Sequence, residues 1–436
     1  MENKSVVISL PNMNRLFAFL IGFLSANNII YVFKVSNTTI KAIGVVAIIG
    51  LIYIAIRSEK ISSPFHMLPN SLRYFFLYVI MSFVPVLVFN QDLIYQWAVG
   101  IVAMLIMASV TALVLLLYES YKEDIFKGIY VGFLVNALLI LWGLYNHSRG
   151  ISFTLDEFFP YESIAPVYLG TSYRGSGLFR EPGHLMRYTT VFCLPLIYYF
   201  RTNRRRMIIS IISTIIILAN TRSSTAIAFG IEIVLLILIF SSKDAKSFWK
   251  AFALIIAIVI AAVIITPIRN FILNKVFSGF VDFTTFRGET ARITGMINAL
   301  KVALKYPALG SGWNTLSMMY EKLGLNIYIS NGFGGGAYVS AAYSEGLTIL
   351  AETGAFSLMY YWFVLKSSIS LIKYRDELSI TLGVSLVGYF ILFFITDFSF
   401  NLNGSVAVLI GLTVGRLLED QNSEWINNLS EITIIS

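Results

Sequence analysis

Gln96-Trp-Ala-Val-Gly-Ile-Val-Ala-Met-Leu-Ile-Met-Ala-Ser-Val-Thr-Ala-Leu-Val-Leu-Leu-Leu-Tyr118 carries no charged side chain. A helix of ~20 mostly apolar residues crosses a hydrocarbon core of ~30 Å, and in lipid only helices and closed barrels satisfy every backbone group. This run meets that length, and comparable runs recur along the chain. Spans are expected near residues 13–33, 39–56, 72–89, 96–118, 125–145, 184–200, 207–220, 223–240, 249–268, 346–365, 380–396 and 404–418, which makes an all-α polytopic membrane protein of about twelve helices. Composition agrees: the 436 residues are 57% hydrophobic and 13% charged, and the mean hydropathy is +0.76. A soluble domain of ordinary composition is excluded.

Residues 1–436 therefore read as a single integral membrane domain. The run from Arg15 to Phe33 is followed by no small-residue cleavage site of the A-x-A type, so a retained helix is expected rather than a signal peptide. Cys193, the single cysteine, lies in an apolar run, which leaves no intrachain disulfide and no thiolate metal cluster. The net charge of +8 comes from basic residues scattered over short segments, without the continuous basic face that nucleic acid requires.

Twelve spans would put the N-terminus, 57–71, 119–124, 201–206, 241–248, 366–379 and the C-terminus on one side. These segments hold Arg57, Lys60, Lys122, Arg201, Arg204, Arg205, Arg206, Lys243, Lys246, Lys366, Lys373 and Arg375, so the positive-inside rule makes that side cytoplasmic, both termini included. The outer side receives two long loops, 146–183 and 269–345, of a length that usually carries function. Against the charge trend, these loops and their flanks hold Arg149, Arg174, Arg180, Arg187, Arg269, Lys275, Arg287, Arg292, Lys301, Lys305 and Lys322, with Arg222 in a short outer turn. Cations kept where topology disfavours them suggest an anionic ligand at the outer boundary, the alternative being lipid headgroups.

Within the second loop, Ile293, Met296, Ile297, Leu300 and Leu304 recur at helical spacing between Glu289 and Lys305, and Pro307 ends the run. An amphipathic helix lying on the membrane is expected there. The glycines of Asn331-Gly-Phe-Gly-Gly-Gly336 could form a hinge or lid.

The richest candidate stretch is Ser172-Tyr-Arg-Gly-Ser-Gly-Leu-Phe-Arg-Glu-Pro-Gly-His-Leu-Met-Arg187. Its glycines let backbone approach a ligand, and Arg174 and Arg180 offer planar forks that match diphosphate oxygens. Glu181 is held extended by Pro182 and, partly desolvated, could act as a general base, or else pair with Arg180 or Arg187. His184 could act as a base, donate to phosphate or be structural, and Arg187, one turn deeper, should face the protein interior. Glu232 in mid-span must be protonated or paired, and a buried pair is the expected outcome. Asp397, Asn401 and Asn403 form a polar outer end that either binds sugar hydroxyls or caps a helix. No Asp-x-Asp, HExxH, Walker loop or Gly-x-Ser-x-Gly occurs, so nothing points to a metal, a nucleotide or another cofactor.

Arg174-Gly-Ser-Gly-Leu-Phe-Arg-Glu-Pro182 resembles the R-x-S-G-x-F-x-E-P element of bacterial O-antigen and capsule polymerases of the Wzy type. Ala219-Asn-Thr-Arg-Ser-Ser-Thr-Ala226 is similar to their Thr/Ser-Arg element. Arg292, Asn298-Ala-Leu300 and Tyr306-Pro-Ala-Leu-Gly-Ser-Gly-Trp313 resemble an R…A-L…P-L-x-G-x-G element shared with O-antigen ligases, and Leu350-Ala-Glu-Thr-Gly354 resembles the glutamate-glycine element after the large loop. Ligases carry a histidine-asparagine pair where this chain has Tyr343-Ser344.

The resemblance implies a GT-C-like glycosyltransferase of the bacterial inner membrane with its site facing the periplasm. It would act on undecaprenyl-diphosphate-linked oligosaccharide as both donor and acceptor, without a metal, and alongside a chain-length regulator. Arg174, Arg180, Arg187, Arg222, Arg287 and Arg292 would then hold the diphosphate, with Glu181 and His184 serving proton transfer. A ligase acting on lipid A core, and a flippase without bond-forming chemistry, are the competing expectations. A flippase should concentrate charge at mid-membrane, whereas here it gathers at the boundary.

Overall fold

The computed structural model describes residues 10–27, 30–35, 38–57, 64–151, 167–169, 172–179, 181–221, 223, 226–241, 253, 288–325, 328–330, 336–338, 342, 344–374, 376–396 and 404–434. Its helices are α1 Leu10–Ser25, α2 Ala42–Arg57, α3 Pro64–Met67, α4 Asn70–Met81, α5 Phe83–Phe89, α6 Ile94–Ser148, α7 Pro182–Tyr199, α8 Arg204–Thr221, α9 Ala226–Ser241, α10 Gly288–Lys305, α11 Leu316–Lys322, α12 Glu345–Thr353, α13 Ser357–Lys373, α14 Glu377–Ile395 and α15 Gly404–Ile434. Three antiparallel hairpins join them: β1 Tyr31–Val35 with β2 Thr38–Lys41, β3 Val167–Leu169 with β4 Ser172–Arg174, and β5 Tyr328–Ser330 with β6 Gly336–Tyr338. The chain is thus helical as its composition requires, but not purely α.

Among the described residues, four helical stretches are long and apolar enough to cross a membrane: Asn70–Phe89, Gln91–Ser148, Glu345–Lys373 and Glu377–Ile395. Shorter apolar helices cover Met13–Ser25, Ala42–Arg57 and Ala228–Phe240. The expected span at 249–268 lies outside the described residues, apart from residue 253. The expected first span is shortened, because α1 stops at Ser25 and the β-branched, aromatic Tyr31-Val-Phe-Lys-Val35 pairs as a strand instead.

The stretch 94–148 folds back on itself. Tyr121 departs from helical geometry (φ −132°, ψ 18°), inside the expected turn 119–124. Before it, Gly44 and Gly50 of α2 meet Ile106 and Leu113; after it, Gly22 and Ala26 of α1 meet Ile125 and Gly132. In both pairs the residue numbers rise together, so each half runs parallel to its partner. Since Phe17 of α1 packs on Tyr53 of α2 and the Ala42 N–H bonds back to the Ile30 carbonyl, α1 and α2 are antiparallel. The two halves of α6 are therefore antiparallel too.

The expected span 72–89 breaks at Ser82 between α4 and α5. Pro85 explains it: it offers no N–H to Met81 and its ring crowds that carbonyl. The Ser82 hydroxyl donates to the Val79 carbonyl (2.6 Å) and accepts from Trp97 Nε1 (3.1 Å) and from the Trp313 N–H (3.2 Å).

One end of the bundle is tied by ion pairs. Arg15 meets Asp124 (3.9 Å), Lys127 meets Glu123 (2.8 Å), Arg206 meets Glu123 (3.9 Å), and Arg201 meets Glu377. Lys122 meets Glu419, and Arg416 grips both Asp376 (2.8 Å) and Glu419 (2.7 Å) while its Nε donates to Ser379 Oγ (2.8 Å). Most of these residues come from segments expected on a single side, with Arg15, Lys127 and Arg416 from the adjoining ends of expected spans, and the fold gathers them. At the opposite end the Glu345 N–H bonds to the Thr396 carbonyl (2.8 Å) and the Gly175 N–H to the Asn220 carbonyl (3.2 Å).

Burial pushes the Asp376 carboxyl up, but hydrogen bonds from Ser379 and Arg416, with the Arg416 charge, outweigh it and hold the group below its usual range. A depressed folded value contributes stability above the unfolded aspartate value of about 4, which is lost as pH falls through the folded value. Arg416→Gln should cost about 1–2 kcal/mol, at the low end for charged hydrogen bonds because both acids keep some water. Melting in detergent from pH 8 to 3 checks this. The wild-type midpoint should hold at neutral pH and fall below about pH 4, and the variant should start lower and fall less steeply.

Candidate functional site

The arginine-rich stretch does not lie outside the bundle as a solvated loop. Tyr173, Gly175, Ser176, Gly177, Leu178 and Phe179 are all buried, packed on the second half of α6. Irregular backbone at such depth survives only if its polar groups are satisfied inside the protein. Asn136, completely buried in the middle of an expected span, meets one of them. Its Oδ1 accepts from the Leu178 N–H (2.7 Å), and its Nδ2 donates to the carbonyls of Ala26 (2.9 Å) and Gly132 (2.8 Å). Gly177 makes the approach possible, with φ +56° and only 2.2 Å between an added Cβ and Asn136 Oδ1. Tyr173 lies over His147 (ring centroids 5.8 Å apart).

Beyond this loop, Glu181 is the extended N-cap of α7 (φ −138°, ψ 148°) with Pro182 in the first turn. Its side chain is exposed, which corrects the expected partial desolvation: the extended residue before the helix leaves the carboxylate on the rim. His184, in the first turn, is half-buried, and Arg187, one turn deeper, is only 5% exposed, so it faces the protein interior as expected. Carboxylate, imidazole and guanidinium thus follow at i, i+3, i+6 from the rim inward.

The end of α8 docks against this segment. Besides the bond from Gly175 to Asn220, the Thr221 hydroxyl reaches Met186 Sδ (3.8 Å), and Ser223 Oγ is the neighbour that a Cβ on Gly183 would meet (3.7 Å). Residues on both sides of position 222 therefore touch the 175–186 segment. Arg180, Arg222 and Arg287 lie outside the described residues, as do Asp397, Asn401, Asn403 and Tyr343. Arg174 is placed in β4, opposite Val167, and Arg292 in α10; of their side chains nothing is described.

A second unit forms at the same end. The Ser311 and Gly312 N–H groups donate to the Ala351 (2.9 Å) and Glu352 (3.0 Å) carbonyls, and the Ala355 N–H to Ala308 (3.2 Å). Gly310 (φ +69°) and Gly354 (φ +57°) sit so close to the facing backbone that a Cβ on either would lie within 2.7 Å of it. The buried Glu352 carboxylate accepts the Leu316 N–H (3.1 Å) at the start of α11. Two motifs far apart in sequence are thereby one clasp. Glu352 holds backbone, a role not visible in the sequence.

Helix α10 docks on α11 and α12 through small and polar residues: Ala299 and Val302 are buried, Asn298 donates to the Leu325 carbonyl (2.8 Å), and Tyr320 donates to the Gly295 carbonyl (2.7 Å). The expected apolar stripe faces away, with Ile297, Leu300 and Leu304 exposed (Leu304 at 79%). Of the expected glycine hinge, 331–336, residues 331–335 lie outside the described residues and Gly336 opens β6, which pairs with β5.

Not every outer cation is left for a ligand. Lys322 donates to Asp92 (2.7 Å), Arg149 stacks on Tyr145 (4.5 Å) and Lys305 lies over Tyr306 (6.0 Å). Glu232 is completely buried, and among the described residues neither carboxylate oxygen has a hydrogen-bond partner; it is pressed on Gly388 instead of forming the expected pair. Also unforeseen is Glu345, buried at the mouth of α12 behind the N-cap Ser344. Among the described residues no group of three or more His, Cys, Asp or Glu side chains could hold a metal.

Compared with known proteins, the chain matches no family model and no curated protein.

Asn136→Leu strands the Leu178 N–H and the Ala26 carbonyl inside the bundle, at about 1–3 kcal/mol for each buried unsatisfied group. Faster tryptic cleavage at Arg174 or Arg180 in the variant, with a lowered melting point, is the expected outcome; Gly177→Ala should act alike through its positive φ.

Proposed function

We propose that this chain is a metal-independent membrane glycosyltransferase that polymerises lipid-diphosphate-linked oligosaccharide repeat units, similar to Wzy-type polymerases. In this reading twelve spans cross the bacterial inner membrane, the ion-paired end and both termini are cytoplasmic, and the arginine-bearing end opens to the periplasm. The observation that supports it is the pairing of motifs in space. The 174–187 segment and the residues flanking 222 touch, and 308–316 and 351–355 are clasped, both at the end away from the ion pairs.

In the reaction, a hydroxyl of the incoming lipid-linked repeat unit attacks the anomeric carbon of the donor glycan. The bond from that carbon to the diphosphate breaks, and the lipid diphosphate leaves with its electron pair and negative charge. Arg174, Arg180, Arg187, Arg222, Arg287 and Arg292 supply fixed positive charge at this end, which stabilises that leaving group without a metal. The acceptor proton goes to Glu181, whose place on the rim lets it pass the proton to water. His184 donates to a phosphate oxygen. The exposed stripe of α10 rests on the lipid beside the substrates, and a chain-length regulator is the expected protein partner.

The test uses purified protein and lipid-linked repeat units as sole substrate. A ladder of lengthening lipid-linked glycans is expected, with Glu181→Gln and Arg292→Ala each lowering chain growth by at least ~100-fold at unchanged protein level. A wild-type protein that forms no ladder, or full activity in both variants, contradicts the proposal.

A further inference from the structure

The ion-paired half of the bundle contains a cleft that none of the glycan chemistry uses. It lies between α2, α3, α4 and the first half of α6, with a volume of about 470 Å3, inside the range of about 300–1,000 Å3 that holds small ligands. Its walls are hydrocarbon, including Ala55, Phe65, Ile80 and Leu105. The hydroxyls of Ser109 and Thr111 already donate to the carbonyls of Leu105 (2.9 Å) and Ala407 (3.0 Å), so the cleft offers no free donor and suits an apolar chain. Ile80 and Leu105, 42% and 49% exposed, form its lip, which opens sideways where lipid tails would lie. On α6 the lining runs from Met104 to Leu116, ~18 Å at helical rise, close to the ~15 Å that one leaflet contributes to a hydrocarbon core.

The inner end of the cleft is marked by two arginines. Arg57 follows Ala55 at the end of α2, exposed and over the Tyr53 ring (6.0 Å). Arg73 turns back over the Phe65 ring (5.8 Å) and donates to the Leu68 carbonyl (3.2 Å) and Asn70 Oδ1 (3.0 Å), while its Nε is buried without a hydrogen-bond partner among the described residues. Arg15, Lys122, Lys127, Arg201, Arg206 and Arg416 on this side meet carboxylates, while the exposed Arg204, Arg205, Lys366 and Lys373 have no ion pair among the described residues. Among the described residues no carboxylate lies within ion-pair distance of Arg57 or Arg73. An apolar slot one leaflet long, with guanidinium charge at its inner end that meets no carboxylate among the described residues, matches a single amphiphile.

We infer that this cleft is a binding site for an anionic phospholipid of the inner leaflet, one acyl chain lying along α6 and the phosphate held by Arg57 and Arg73. The site is at the opposite side of the bundle from the proposed transferase centre; its leaflet rests on the topology of that reading, and its lipid chemistry does not.

Its test is lipid retention by the full chain in detergent, equilibrated with equal amounts of phosphatidylglycerol and phosphatidylcholine and read by mass spectrometry of the intact protein. The wild type should keep phosphatidylglycerol in about tenfold preference. Arg57→Gln with Arg73→Gln should bring the preference to parity. Ala112→Phe, which fills the cleft, should lose the retained lipid with both arginines in place, and Ala108→Leu serves if that protein is not monodisperse. Equal retention of the two lipids by wild type, a preference that survives loss of both arginines, or undiminished retention in the folded filled variant overturns the inference. So does displacement of phosphatidylglycerol by an equal amount of polyprenyl diphosphate, which would make the isoprenoid carrier the occupant. Chain growth is not read in this assay, so its failure leaves the polymerase proposal standing.

Discussion

The amide of Asn136 is the interaction on which the outer end depends. A segment that is neither helix nor strand enters a helical bundle, and in an apolar surrounding each of its unmet N–H and C=O groups would cost as much as several good packing contacts return. Asn136 meets one of these demands by accepting from the Leu178 N–H, and it is itself anchored by donating to the Ala26 and Gly132 carbonyls. It thereby ties the loop to both α1 and α6. Because the loop is fixed there, β4 before it and Glu181 after it leave the bundle at set positions, and α7 starts where Pro182 allows. The tip of α8 can then close on Gly175 and Met186.

The two ends of the bundle are joined differently. At one, acids and bases from α1, α6, α8, α14 and α15 neutralise each other and bind helix ends together. At the other, among the described residues, backbone does the joining through the clasp of 308–316 on 351–355.

Much of the helical plan was legible because a membrane span must be long and apolar, and the edges of α7, α8 and α14 fall close to those the hydropathy predicts. The turn at 119–124 was legible too, from its charges. Ser82 was not, since a proline three residues later breaks a helix without changing its hydropathy. Nor was the depth of the 175–179 loop: arginines at either side read as an exposed loop, while the deciding residue, Asn136, is a lone amide in an apolar run far along the chain. The helical period over 288–305 gave the helix but not its docking face, because small residues such as Ala299 pack closely without standing out as an apolar stripe. Glu352 stood within a recognised motif, yet its partners come from the backbone, which no side-chain pattern reveals.

The separation of the two ends is tested most directly by side-specific labelling of single cysteines in intact cells, in a Cys193→Ser background. A cysteine at Asn203, in the ion-paired turn, should react only with a reagent that has crossed the membrane. One at Glu181 should react with an impermeant reagent added outside, once the outer envelope is permeabilised. Labelling of both positions from the same side would contradict the account.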